Sequence, residues 1–65
     1  MLERGRVAAV QGAVVWVTLS RAPGQRFGPC EVYTAQPIAE GDEVIVGGVG
    51  RIRDDLVVLG VLRTA

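Results

Sequence analysis

No window of this sequence repeats its apolar residues at the spacing of a helix face. Short apolar runs are instead separated by Gly, Pro and Asp, which is the pattern of an all-β chain. The first run covers residues 5–10 (GRVAAV) and is followed by Gln11-Gly12, where glycine supplies the freedom a tight hairpin turn needs. The second covers 13–19 (AVVWVTL), and the two runs predict an antiparallel hairpin. Residues 20–29 read as a loop, with the turn dipeptides Pro23-Gly24 and Gly28-Pro29 and with Phe27 as its one large apolar side chain. A third run follows at 30–34, then a connection at 35–41, a fourth run at 42–46 and a glycine-rich turn at 47–50. Residues 51–53 extend a strand edge, Asp54-Asp55 leads into the last run at 56–62, and 63–65 form a tail. Valine, abundant throughout, suits a pleated surface. A flat sheet of five short strands would leave its edges and one face uncovered, so a small five-stranded antiparallel barrel is expected.

The chain of 65 residues is expected to form a single domain over 1–65, and Met1 reads as the natural start of a complete small protein. A domain of this size buries only about 60% of the surface its unfolded chain exposes. Disulfides, metals or oligomeric contacts usually supply the missing stability. Cys30 is the single cysteine and there is no histidine, which removes an internal disulfide and a structural zinc site. Association remains. The strand faces point the same way: Val15, Val17 and Leu19 share one face of the second run, and Val14, Trp16 and Thr18 the other. In the last run Leu56, Val58 and Leu62 share a face opposite Val57, Leu59 and Val61. A strand with one wet face alternates apolar with polar; here both faces are apolar. Fully burying one such side chain contributes roughly 1.5–3 kcal/mol, so a second apolar row marks an interaction surface or a face that residues 20–29 and the termini cover within the chain.

Constellations that carry chemistry are missing from the sequence. Cys30 and Ser20 have no histidine to activate them. The carboxylate groups Asp54-Asp55 and Glu40, Asp42, Glu43 sit where turns and strand starts explain them, and they lack the ligand spacing of a calcium loop. The glycines at 47–50 lead into no helix and the chain has no lysine, so they are not a phosphate cradle. No catalytic, cofactor or metal site is expected, and the chain reads as a non-enzyme. Seven arginines balance seven acids, without the basic field of a general nucleic-acid binder. No run approaches the length of a membrane span. The first residues lack a basic segment followed by an apolar one, so they are not a secretory signal.

Three stretches together resemble a family: Gly5-Arg6-Val7 with Val14-Val15-Trp16-Val17, then residues 37–46 (PIAEGDEVIV), then residues 56–62 (LVVLGVL). They are similar to the oligonucleotide/oligosaccharide-binding (OB) barrels of phage tail and baseplate proteins, above all those of phage spikes and of the valine–glycine repeat spikes of contractile injection systems. The resemblance covers nearly the whole chain except residues 20–29. It implies an OB-like barrel and a structural virion role in a phage tail, hub or head–tail region, with assembly in the host cytoplasm and docking against copies of itself or larger phage proteins. The aspartate- and tryptophan-bearing stretch of many spike domains is absent here, and no β-helix or needle follows, so a stand-alone subunit is expected. A capsid decoration or cement protein and a single-stranded nucleic-acid-binding OB module are the alternatives. The expected interface has Val14, Trp16, Val57, Leu59 and Val61 at its apolar centre, Phe27 beside them, and Arg21, Arg26, Arg51 and Arg53 at its rim.

Overall fold

The computed structural model describes residues 2–48 and 56–65. Met1 as a start, Val49 and Gly50 of the glycine turn, the strand edge 51–53 and Asp54-Asp55 lie outside the described residues. Five strands form: β1 (Leu2–Gln11), β2 (Val14–Leu19), β3 (Ala22–Val32), β4 (Glu43–Gly48) and β5 (Leu56–Arg63). They close into a barrel in the order β1-β2-β3-β5-β4, with β4 pairing back onto β1. The OB-like five-stranded barrel is therefore the fold, with one correction: it is not purely antiparallel. β3 and β5 run parallel, paired at Glu31↔Val57 and Val32↔Val58. Beyond that point Tyr33 N–H donates to the Val58 carbonyl (2.8 Å). Val61 N–H then donates to Gln36 Oε1 (3.0 Å), so the connection after β3 closes the seam along β5 where the ladder has ended.

The expected loop over 20–29 is strand from Ala22 onward; Ser20 and Arg21 alone make the turn. The turn residues misled because β3 carries them at irregularities. Its pairing with β2 slips between Val15 and Val17, where Cys30 and Phe27 are the successive partners and two residues, Gly28-Pro29, joined by a cis peptide bond, stand against Trp16 alone. A bulge is a place where a strand tolerates proline. Gly28 has φ 152°, and a Cβ there would lie 2.8 Å from Trp16 Cδ1, so Trp16 packs directly on the bare backbone of β3. At its other end β3 stops at Val32, leaving Tyr33 and Thr34 outside it. Gly47 and Gly48 are the last residues of β4, not part of a turn.

The interior is filled from all five strands. Val7, Val15, Val17, Leu19, Phe27, Cys30, Val44, Val46, Leu56 and Val58 form one buried cluster. The β2 alternation is as the sequence predicts, with Val15, Val17 and Leu19 inside.

Asp42 departs from its expected role as a solvated strand opener. It is 3% exposed, and β4 begins one residue later. Its carboxylate accepts hydrogen bonds from Ala65 N–H and Ala39 N–H, each 2.9 Å. These two donors, Ala65 first, hold its pKa below the ordinary value of 3.8. A carboxylate with a depressed folded-state pKa stabilises the fold above its unfolded pKa, and that stability disappears as pH falls through the folded value. The urea midpoint is therefore expected to fall below pH 4. In Asp42→Asn, which offers one acceptor in place of two, the neutral-pH midpoint should be lower and this acid dependence flatter. An unchanged pH profile in Asp42→Asn would contradict the assignment.

Candidate interaction surface

The outer face of the barrel is set by two slips in the β4–β5 register. Val46 faces Val58 and Ile45 faces Gly60, which leaves Leu59 without a partner residue. Val44 faces Val61 and Glu43 faces Arg63, which leaves Leu62 as the surplus. Each slip inserts one residue, bends the strand and re-aims a side chain. As a result Val61 turns inward and packs on the core, while Leu59 and Leu62 stand out at 40% and 48% exposed.

The expected interface residues therefore separate. Leu59 is on the surface. Val57 lies on the outer side by register, opposite Gly47 and beside Glu31, yet it is 5% exposed and outside the main core cluster, so it is already covered. Val61 is half-buried against the core rather than outward. Phe27 is buried in the core, not displayed. Val14 and Trp16 are half-buried on the outer side of β2, away from the β4–β5 face. Arg21 is engaged within the chain: Nε donates to Glu3 Oε1 (2.7 Å) and the guanidinium lies 5.4 Å from the Phe27 ring centre. Arg26 is exposed on β3 opposite Thr18. Arg51 and Arg53 lie outside the described residues.

In place of the expected centre, the structure assembles an apolar face over β1, β4 and β5. Gly47 is at its middle: a Cβ there would meet Leu59 Cδ1 at 3.0 Å and Leu2 Cδ2 at 3.4 Å. Glycine thus lets two exposed leucines converge over β4, with Leu2 63% exposed. Ile45, opposite Arg4 and Gly60, continues the face, and Leu62 follows on β5. Leu2, Ile45 and Leu62 were not among the residues expected there. The β1 alternation Leu2, Arg4, Arg6 against Glu3, Gly5, Val7 carried a signal for Leu2. The slip that exposes Leu62 leaves none.

A margin of arginines borders the leucines. The registers Arg26↔Thr18, Thr18↔Arg6, Arg6↔Glu43 and Glu43↔Arg63 form one continuous row across all five strands. Arg4 stands two residues from Arg6 on the same side of β1. Its side chain is 72% exposed and 3.9 Å from Glu43, a contact worth at most about 1 kcal/mol. Arg6 Nη1 donates to the Gly41 carbonyl (2.7 Å). Between them opens a hollow of about 190 Å³ lined by Arg4, Arg6, Thr18, Ser20 and Glu43, among others. A second hollow of about 300 Å³ at the β1–β2 turn end is lined by Val10, Val15, Val32, Thr34, Gln36 and Ile38, with no titratable group.

Magnitudes decide what this face can do. Covering the exposed parts of Leu2, Leu59 and Leu62 would recover about 3 kcal/mol in total. Association costs roughly 4–15 kcal/mol in lost freedom, so the leucines alone do not hold a partner and the arginine margin has to contribute. A standard interface takes about 800 Å² from each side, close to a fifth of the 4323 Å² surface of this chain, enough to span both leucines and arginines. Among the described residues no group of three or more His, Cys, Asp or Glu could hold a metal ion, and no helix is long and apolar enough to cross a membrane. Comparison with protein-family models, with curated proteins and with solved structures finds no match.

Proposed function

We propose that this chain is a small structural subunit that acts by docking on other protein chains and catalyses no reaction. The observation that carries the reading is the convergence of Leu2 and Leu59 over Gly47, extended by Ile45 and Leu62: apolar side chains held outward by register slips and a glycine. The slips that turn Val61 onto the core leave Leu59 and Leu62 on the surface, where a docked partner would cover them. The location we propose is a phage tail, hub or head–tail region. It draws its support from the likeness of the strand motifs to phage spike barrels and from the OB-like fold they form. Copies of this chain or larger tail proteins are the proposed partners.

Site-specific photocrosslinking in the cells that encode the chain tests the docking. A benzophenone amino acid placed at Leu59 is expected to give discrete adducts with a protein partner. The same group at Gln25, exposed on β3, is expected to give none. Equal labelling from both positions, or none from Leu59, would count against this face.

A further inference from the structure

We infer that residues 63–65 form a latch: Ala65, fastened on Asp42, holds the surplus residue at Leu62 in place and keeps Arg63 on the outside of the barrel, and its release lets Arg63 move inward onto the same carboxylate. The receiving half of the latch is built and fixed. Asp42 is 3% exposed, and its backbone is tied on both sides. Asp42 N–H donates to the Ala39 carbonyl (3.1 Å), Val7 N–H to the Asp42 carbonyl (2.9 Å) and Gly41 N–H to the Val7 carbonyl (2.8 Å). Its Oδ2 accepts from Ala39 N–H, in the same connection. Its Oδ1 accepts from Ala65 N–H, which arrives from beyond β5. Gly41, at φ 93°, clears the path: a Cβ there would lie 3.1 Å from Ala65 Cβ. Thr64 and Ala65 are exposed and outside the strand. The carboxylate is therefore the stationary part and the tail the moving one.

The β4–β5 register shows what the latch holds back. Val61 faces Val44 and Arg63 faces Glu43, with Leu62 inserted between them. An unbroken ladder from Val61 would put Leu62 opposite Glu43 and Arg63 opposite Asp42, because a shift of one residue reverses the face. The two registers compete for one acceptor. In the observed register a backbone N–H satisfies Oδ1 and the Arg63 guanidinium stays in water, but the strand carries a bulge. In the other the bulge is lost and a charged donor takes Oδ1, but the guanidinium is drawn out of water. Glu43 does little to hold Arg63 outside: its carboxylate already lies beside Arg4, and exposed pairs of this kind are weak. The fastening of Ala65 decides between the two. Leu62 stays outward in both, so the latch moves Arg63 in and out of the arginine row and leaves the leucines where they are.

Ala65→Pro removes the fastening N–H and, lying outside β5, interrupts no ladder. Cross-strand nuclear Overhauser contacts at residues 42 and 43 report the register in the whole chain. Wild type is expected to show Glu43 against Arg63, and Ala65→Pro to show Glu43 against Leu62 and Arg63 against Asp42. Urea unfolding gives a second readout. Arg63→Ala should raise the unfolding constant about twofold or less in the wild-type background, where Arg63 is exposed. In the Ala65→Pro background, where Arg63 would hold Asp42, the rise should be about tenfold or more. Glu43 still facing Arg63 in Ala65→Pro, an equal effect of Arg63→Ala in the two backgrounds, or an unfolded Ala65→Pro chain would overturn the latch.

Discussion

Leu19→Ala is expected to leave the barrel with little or no residual stability at 25 °C. A domain of this length has a total stability of about 3–10 kcal/mol, and replacing a fully buried leucine by alanine costs about 3–5 kcal/mol. Leu19 is 1% exposed, at the end of the inward row of β2, where it packs beside Gly5 of β1. Neither an internal disulfide nor a described metal site offsets the loss: Cys30 is the single cysteine, and among the described residues no cluster could hold a metal ion. A urea titration followed by circular dichroism measures the effect. A midpoint shift corresponding to less than about 1 kcal/mol would mean that the core is less tightly packed than the buried cluster implies.

Leu59→Asp with Leu62→Asp is expected to do the opposite: leave folding nearly intact and abolish docking. Exposed substitutions away from special features usually change stability by about 0.5 kcal/mol or less, so the pair should shift the urea midpoint little. In the bound state the same aspartates would lie unpaired in a desolvated contact. Two such charges should weaken binding about hundredfold or more. Comparing the singly with the doubly substituted protein thus separates the interior of the barrel from its outer face by experiment.

The contrast between these leucines shows where the sequence was legible. Along β2 strict alternation holds, and Val15, Val17 and Leu19 could be placed inside from their spacing alone. Along β5 the same reasoning put Leu62 with Val58 and placed Val61 outside; both assignments are reversed by single-residue slips. An inserted residue changes the parity of everything beyond it, and nothing in the LVVLGVL string announces it. Pro23-Gly24 and Gly28-Pro29 misled for a related reason, since residues that end a regular strand are at home in an irregular one. The parallel pairing of β3 with β5 arises only when the barrel closes. The arginine row was equally hidden. Positions 6, 26, 43 and 63 are far apart along the chain and meet only through four strand registers, so no stretch of sequence brings them together. Burial of Cys30, by contrast, followed from its chemistry and its place on a strand.

The central claim is that the leucine and arginine face of β1, β4 and β5 fixes this chain into a larger protein assembly. Quantitative mass spectrometry of particles purified from the strain that encodes the chain addresses it directly, comparing wild type with Leu59→Asp/Leu62→Asp. The wild-type chain should appear in the particles at a constant ratio to their major protein, and the variant should be missing from them while remaining folded in the cell. Incorporation of the variant at the wild-type ratio, or absence of the wild-type chain from every particle, would contradict it.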